Sequence, residues 1–276
     1  MSRPNRLFQG FSWPQAADAA SREGATLVRP LGACEQHGPQ LPLSTDTVFA
    51  EKILLQVLDQ LPDLFPIWML PAQSLGFSPE HSSFSGTISL SSRLMFQLIN
   101  EVGIQLAEMG FKRLIFFNSH GGQIGLLQAA SRELRVQCPS MSVLPCFLWH
   151  GVETLRDLIP EVEIEEGLHA GLAETSLMLS LMPDLVGPER PVEGGCRTIA
   201  SHVSPPKGWS LEGAAPCAWL SEDLTESGVI GDSRDANASL GGQIQQALIA
   251  HWVALFTSLL ESNWPPISPS KKFRSD

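Results

Sequence analysis

Glu35 and His37 stand two residues apart, and on an extended segment such a pair projects to one side, where two ligands can share a target. Asp46 comes nine residues after His37, beyond a loop stiffened by Pro39 and Pro42. It begins a helical stretch, where Asp serves equally well as an N-cap. Taken singly, Glu35 reads as a solvated loop acid and His37 as a hydrogen-bonded loop histidine. His120 follows the apolar run 114–117, where an α/β sheet places its binding crevice, and Gly121-Gly122 lets the backbone approach a ligand. The same glycine pair fits a plain turn with positive φ angles. Glu174 lies in an otherwise apolar helix start; a carboxylate there is costly if buried without a cation and favoured by the helix dipole if exposed.

Together, Glu35, His37, Asp46, His120 and Glu174 form a set of oxygen and imidazole donors with no thiolate. That chemistry suits two divalent ions, Zn²⁺ and/or Mn²⁺ with Fe²⁺ as a further candidate, in a hydrolytic site. Three carboxylates contribute −3, two ions +4, and one bridging hydroxide restores neutrality. Two metals roughly 3.5 to 4 Å apart make hydroxide available at neutral pH and polarise a substrate carbonyl.

The elements that must position these residues alternate as in an α/β fold with a mainly parallel sheet. A strand at 26–31 is followed by the loop 32–45 and a helix from about 46 to 58, with Phe49, Ile53, Leu54, Val57 and Leu58 on one face. A helix over 92–109, with Leu94, Leu98, Val102 and Leu106 spaced by four and Gly110 as its stop, leads to the strand 114–117. A buried strand at 143–149, a helix over 174–181 and a long apolar helix near 240–260 follow. Residues 183–235, rich in Gly and Pro, read mostly as loops with short strands. The expectation is one three-layer α/β/α domain over 1–262 and a flexible tail over 263–276.

Of 276 residues, 18 are Lys or Arg and 29 Asp or Glu, a formal charge of −11, which excludes a basic nucleic-acid binder. Polar residues such as Gln245, Gln246 and His251 interrupt the apolar stretches before the roughly 20 residues needed to span a bilayer. Arg3 and Arg6 precede no apolar run of a secretory signal. The expected setting is cytoplasmic, with no membrane partner. Five scattered cysteines, with no C-x-x-C pair, read as reduced and mostly buried thiols, Cys34 among them as a packing residue.

The run Gly32-Ala33-Cys34-Glu35-Gln36-His37-Gly38-Pro39-Gln40-Leu41-Pro42-Leu43-Ser44-Thr45-Asp46 resembles the long first motif of the creatininase (creatinine amidohydrolase) family. The likeness continues in Phe84-Ser85-Gly86-Thr87-Ile88-Ser89-Leu90, Asn118-Ser119-His120-Gly121-Gly122-Gln123, His169-Ala170-Gly171-Leu172-Ala173-Glu174-Thr175-Ser176 and Gly228-Val229-Ile230-Gly231-Asp232. The resemblance implies a creatininase-like fold and a two-metal site in which metal-bound hydroxide attacks an amide C–N bond of a small cyclic amide, a formamide or a peptide-like substrate. It further implies a homo-oligomer, often a hexamer. Carried over by position, Glu35 and His37 bind different metals, Asp46 bridges them, and His120 and Glu174 complete the shells.

In creatinine-hydrolysing members a glutamate two residues after the His120-like histidine is a ligand; here that position is Gly122. Creatinine is thereby disfavoured, and the family also contains a deformylase acting on a ribosylated pyrimidine and a peptidase of peptide-cofactor maturation. The resemblance places His169 beside the metal centre, and we assign it proton transfer to the leaving nitrogen, with a structural histidine at a helix start as the alternative. Gly171 is expected to turn the chain so that His169 faces substrate while Glu174 faces metal. His81, in an expected lid loop over 75–85, Gly121, Gly122 and Trp149 are candidate substrate contacts. The competing reading is a noncatalytic metal- or small-ligand-binding protein that retains the fold.

Overall fold

The structure, a computed structural model, describes residues 5–193 and 206–266. In chain order its main elements are α1 (Trp13–Ser21), β1 (Thr26–Leu31), α2 (Thr45–Gln60), β2 (Ile67–Met69), α3 (Ser92–Met109), β3 (Arg113–Asn118), α4 (Ile124–Gln137) and β4 (Ser142–Phe147). They continue with α5 (Leu155–Leu158), α6 (Glu161–Glu166), α7 (Leu172–Leu181), β5 (Val192–Glu193), α8 (Ser221–Leu224), β6 (Gly231–Asp232) and α9 (Ala238–Leu260). Strands β1 to β4 form one parallel sheet in the order β2-β1-β3-β4, and β5 pairs antiparallel with β6.

Strands β1, β2 and β3 are buried along their whole length, so they read as nearly continuous apolar runs, whereas the edge strand β4, expected to be buried, is only partly so. Successive side chains still separate by face: Val28, Ile115 and Phe117 pack into one core with α2, α7 and α9, while Leu27, Leu31, Leu114 and Phe116 pack into a second with α1, α3 and α4. This is the expected three-layer α/β/α arrangement. No helix among the described residues is long and apolar enough to cross a membrane.

Sheet order sets the place of the site. The chain leaves β1 for β2 on one side and then crosses to β3 on the other, so the connections beyond the carboxyl ends of β1 and β3 diverge and open a crevice. Gly32 closes β1 against the backbone of Thr47 with no room for a side chain, which brings the start of α2 to the same edge.

Several elements differ from the sequence expectation. Helix α1 is short, and its first turn is fastened by the Ser12 N–H donating to Gln15 Oε1 at 2.8 Å. Strand β2 has only three residues, too few to show a period of two. Strand β4 stops at Phe147 rather than 149, where the chain turns away after the Leu148 N–H reaches the Asn118 carbonyl at 2.7 Å. Cys138 is buried, Cys34 and Cys146 are half-buried and Cys217 is exposed, all as free thiols, so the thiols are less buried than expected; Cys196 lies outside the described residues. The Arg113 guanidinium donates to the carbonyls of Ser262 at 2.8 Å and Trp264 at 3.1 Å. Most of the expected tail, 267–276, lies outside the described residues.

Candidate metal centre

The segment leaving β1 is held extended by pairing with 87–88: the Ile88 N–H donates to the Cys34 carbonyl at 2.8 Å, and Gln36 N–H to Thr87 Oγ1 at 3.0 Å. Glu35 and His37 therefore point the same way. Asp46 is the second residue of α2, and Glu174 sits in the first turn of α7. His120 is fixed just past β3 by Asn118, whose side chain accepts from the His120 N–H at 3.1 Å and donates to its carbonyl at 2.7 Å.

These residues converge. His120 Nδ1 lies 3.2 Å from Glu35 Oε1 and 3.5 Å from Asp46 Oδ2, while His37 Nε2 lies 3.7 Å from Asp46 Oδ1 and 3.9 Å from Glu35 Oε1. The two oxygens of Asp46 thus face two different histidines, as a bridging carboxylate would. Three triads have donor atoms within 4.8 Å of one another: Glu35, His37 and His169; Glu35, Glu80 and His120; His37, Asp46 and Glu174.

Second contacts prepare the histidines for ligation. His37 Nδ1 donates to the Glu35 carbonyl at 3.2 Å and His120 Nε2 to the Phe77 carbonyl at 2.9 Å, which leaves His37 Nε2 and His120 Nδ1 as the inward lone pairs, the arrangement usual for metal-binding imidazoles. His37 Nε2 and Asp46 Oδ2 are buried with no hydrogen-bond partner. Leaving such groups unsatisfied is costly, and divalent ions fit both.

The electrostatics agree with this fit. Burial pulls His37 and His120 down, but the surrounding carboxylates, Asp46 foremost at His37 and Glu35 foremost at His120, together outweigh it and raise them to about 9 and about 10. Burial pushes Glu174 up to about 7; burial and then Glu35 raise Asp46; and Glu35, despite burial, is held well below its usual range, chiefly by His120. In the metal-free protein at pH 7.5 both histidines therefore carry protons that an ion must displace. Zinc binding is expected to release about two protons per chain and to tighten as pH rises towards 9. Calorimetry in two buffers of different ionisation enthalpy reads this directly, and a proton count near zero would contradict it.

Three expectations are corrected here. Segment 75–85 is a wall rather than a lid: Ser78 and His81 are buried, Gly76 packs on the Gly32 carbonyl, and the Ser78 hydroxyl donates to the Glu35 carboxylate. The turn between His169 and Glu174 falls on Ala170, at φ 55°, and not on Gly171, at φ −80°. The Ala170 N–H donates to Glu174 Oε2 at 2.6 Å, and the Gln40 amide to the Ala170 carbonyl at 2.9 Å, which offsets the strain. Trp149 packs edge-on to Phe49 in the core, 5.8 Å between ring centres, and the indole standing against the site is Trp219, 6.2 Å from the His81 ring.

Sequence reasoning also passed over Glu80. A Cβ at Gly122 would fall on the Glu80 carboxylate and 2.8 Å from His120 Nε2, whereas one at Gly121 would meet nothing within 4 Å. Gly122 thus makes room for an acid from another segment, 3.5 Å from His120 Nε2; the adjacent Glu80-His81 pair was its only sequence signal. Gly122→Ala is expected to destabilise the protein by about 1–3 kcal/mol through this overlap. Glu80→Ala in the same background should recover most of the loss, and additive losses in thermal melts would refute the contact.

The description "Creatininase: Creatinine amidohydrolase" fits residues 9–256. A protein named mycofactocin precursor peptide peptidase from Mycobacterium tuberculosis is 34% identical over 230 residues, 81% of each chain. Creatinine amidohydrolase from Pseudomonas putida is 27% identical over 197 residues, 66% of this chain and 74% of that one. A solved structure titled "Creatininase Mn" superposes with a TM-score of 0.71 at 21% identity, covering 94% of this chain and all of the other; that likeness concerns the fold.

Proposed function

We propose that this chain, which belongs to the creatininase family of hydrolases acting on carbon–nitrogen bonds, is a metal-dependent hydrolase of an amide bond in a peptide. The observation that carries the reading is the convergence of Glu35, His37, Asp46, His120 and Glu174 from four separate segments, with two of their buried polar atoms left unpartnered. A noncatalytic binding protein has no need of donors for two Lewis acids with a further histidine, His169, left beside them for proton transfer. The peptide class follows the relatives named as peptidases, which are more similar to this chain than the creatinine amidohydrolase.

Glu35 and His120 would hold one ion, His37 and Glu174 the other, and Asp46 both. When bound, Zn²⁺ or Mn²⁺ would supply hydroxide at neutral pH and polarise the scissile carbonyl. His169 donates Nε2–H to the Gln36 carbonyl at 2.7 Å, leaving Nδ1 inward, 3.9 Å from Glu35 Oε1. Burial, then His37 and His81, lower its pKa well below the usual value, so it enters the reaction neutral, takes on Nδ1 the proton that the attacking water gives up as it bonds to the carbonyl carbon, and passes that proton to the nitrogen as the C–N bond breaks. The free thiols suit a reducing, cytoplasmic setting.

The test is to screen zinc- and manganese-loaded protein against short linear peptides, formamidopyrimidines and creatinine. Peptide cleavage with two ions per chain is expected, and creatinine turnover weak or absent. A creatinine kcat/KM above about 10⁴ M⁻¹s⁻¹ would overturn the substrate assignment.

A further inference from the structure

Four histidines surround the centre, and three of them share a design. His37, His120 and His169 each turn one ring nitrogen outward to a main-chain carbonyl, of Glu35, Phe77 and Gln36 respectively. Such a carbonyl only accepts, so these rings donate outward and offer the other nitrogen inward, at His37 and His120 as a lone pair once an ion displaces its proton. His81 is wired the opposite way. Its Nδ1 lies 2.8 Å from Gln36 Nε2 and 2.6 Å from Ser221 Oγ. The Gln36 amide is itself oriented: its oxygen accepts from the Gly38 N–H at 2.9 Å and its nitrogen donates to the Gly228 carbonyl at 3.0 Å. An amide NH₂ cannot accept, so His81 Nδ1 must be the acceptor and the proton resides on Nε2.

That Nε2–H points into the centre. Its nearest anionic atom, Glu35 Oε1, is 3.7 Å away, beyond hydrogen-bond reach, and His81 Nε2 makes no hydrogen bond among the described residues. The ring is 2% exposed and sandwiched, stacked on His169 at 4.2 Å and edge-on to Trp219 at 6.2 Å. A donor with its direction fixed, no protein partner and only a trace of exposure is available to an acceptor that arrives with the substrate. The scissile amide offers one: its carbonyl oxygen accepts, whereas its planar nitrogen does not.

We propose that His81 is a catalytic residue that acts as a neutral hydrogen-bond donor, presenting Nε2–H to the substrate carbonyl oxygen as negative charge develops there, and that Gln36 is the positioning residue that holds the proton on that nitrogen. The assignment rests on the amide-hydrolase reading above. It divides labour between two stacked rings: His169 brings a lone pair for proton transfer, and His81 brings a fixed N–H that is not given up. A donor of this kind stabilises the oxyanion without reorganising during the reaction.

The first test needs no substrate. In zinc-loaded protein labelled with ¹⁵N, long-range proton–nitrogen correlation should find His81 with a pyrrole-type Nε2 and a pyridine-type Nδ1 at neutral pH, assigned by loss of its signals in His81→Leu. A proton on Nδ1, or Nε2 bound to zinc, would overturn the proposal. Gln36→Glu replaces the donor by an acceptor and should move the proton to Nδ1; an unchanged Nδ1 in that folded variant would remove Gln36 from its role. Ser221→Ala should keep the Nε2–H form, because Gln36 still donates. On a cleaved peptide, His81→Leu should lower kcat by about 10²–10³ with KM and metal content little changed, and His81→Gln, which restores a donor at similar reach, should recover part of it. Loss of an ion, or full activity, in His81→Leu would overturn the proposal. If no peptide is cleaved, the tautomer result still decides the wiring of His81 while the amide-hydrolase reading alone fails.

Discussion

Asp46→Ala should lose both metal ions, not one, and with them all measurable hydrolysis. Its Oδ1 faces His37 and its Oδ2 faces His120, 3.7 and 3.5 Å away, so removing one carboxylate opens both halves of the centre. Glu174→Ala, by contrast, should weaken one ion, since Glu174 groups only with His37 and Asp46. Elemental analysis after dialysis against a weak chelator distinguishes the two cases. Two tightly held ions in Asp46→Ala would sink the bridging role. Without ions, Asp46→Ala also leaves His37 and His120 with one carboxylate fewer, so both imidazoles should titrate closer to the ordinary histidine value than the about 9 and about 10 of the intact site.

The expected direction of the stability change is less obvious, because Asp46 is buried and its own carboxyl is pushed up by burial and by Glu35. Its attraction to the protonated His37 and His120 acts the other way, and removing one member of a buried charge cluster leaves the others uncompensated. Metal-free Asp46→Ala should therefore melt no higher than the metal-free parent, while zinc should raise the melting temperature of the parent alone.

What the sequence made legible follows how local each signal is. Strand β1 and helix α3 match the expected 26–31 and 92–109 residue for residue, because β1 is a compact run ended by Gly32 and α3 a long run with one clear period and Gly110 as its stop. The five donors could be named because each lies in a short block with unusual chemistry beside Gly or Pro. Contacts between blocks left no such trace. Glu80 enters the space over Gly122 because its segment is tied to the end of β1 on both sides, the Gln73 carbonyl accepting from the Gly32 N–H and the Ile88 N–H donating to the Cys34 carbonyl, and the proposed inward N–H of His81 depends on the Gln36 amide, itself held by Gly228, 192 residues later. The strained Ala170 was assigned to its glycine neighbour because a left-handed φ favours Gly; Gly171 is instead needed for its missing side chain, since a Cβ there would strike the Glu163 carboxylate, which caps α7 through the Leu172 N–H at 2.7 Å.

His169→Asn should keep the fold and both ions while lowering kcat by roughly 10² to 10⁴, the usual contribution of a positioned proton-transfer group. His169 comes three residues before α7 begins, and the turn at Ala170 points it away from the direction of Glu174, which stays with His37 and Asp46. Its backbone is pinned independently of the ring: the His169 N–H donates to the Ile230 carbonyl at 3.0 Å, and the Ile230 N–H returns to the His169 carbonyl at 2.8 Å. Asn can therefore replace the imidazole without releasing the segment, and the loss should fall on kcat more than on KM because the missing group acts in the transition state. His169 Nδ1 is also near enough to Glu35 and His37 to join them around an ion, and metal content separates the roles. An ion lost from His169→Asn would make His169 a ligand, and full activity would make it a bystander. Two retained ions with a depressed kcat would leave His169 as the group that carries the proton to the leaving nitrogen, beside a His81 that keeps its own.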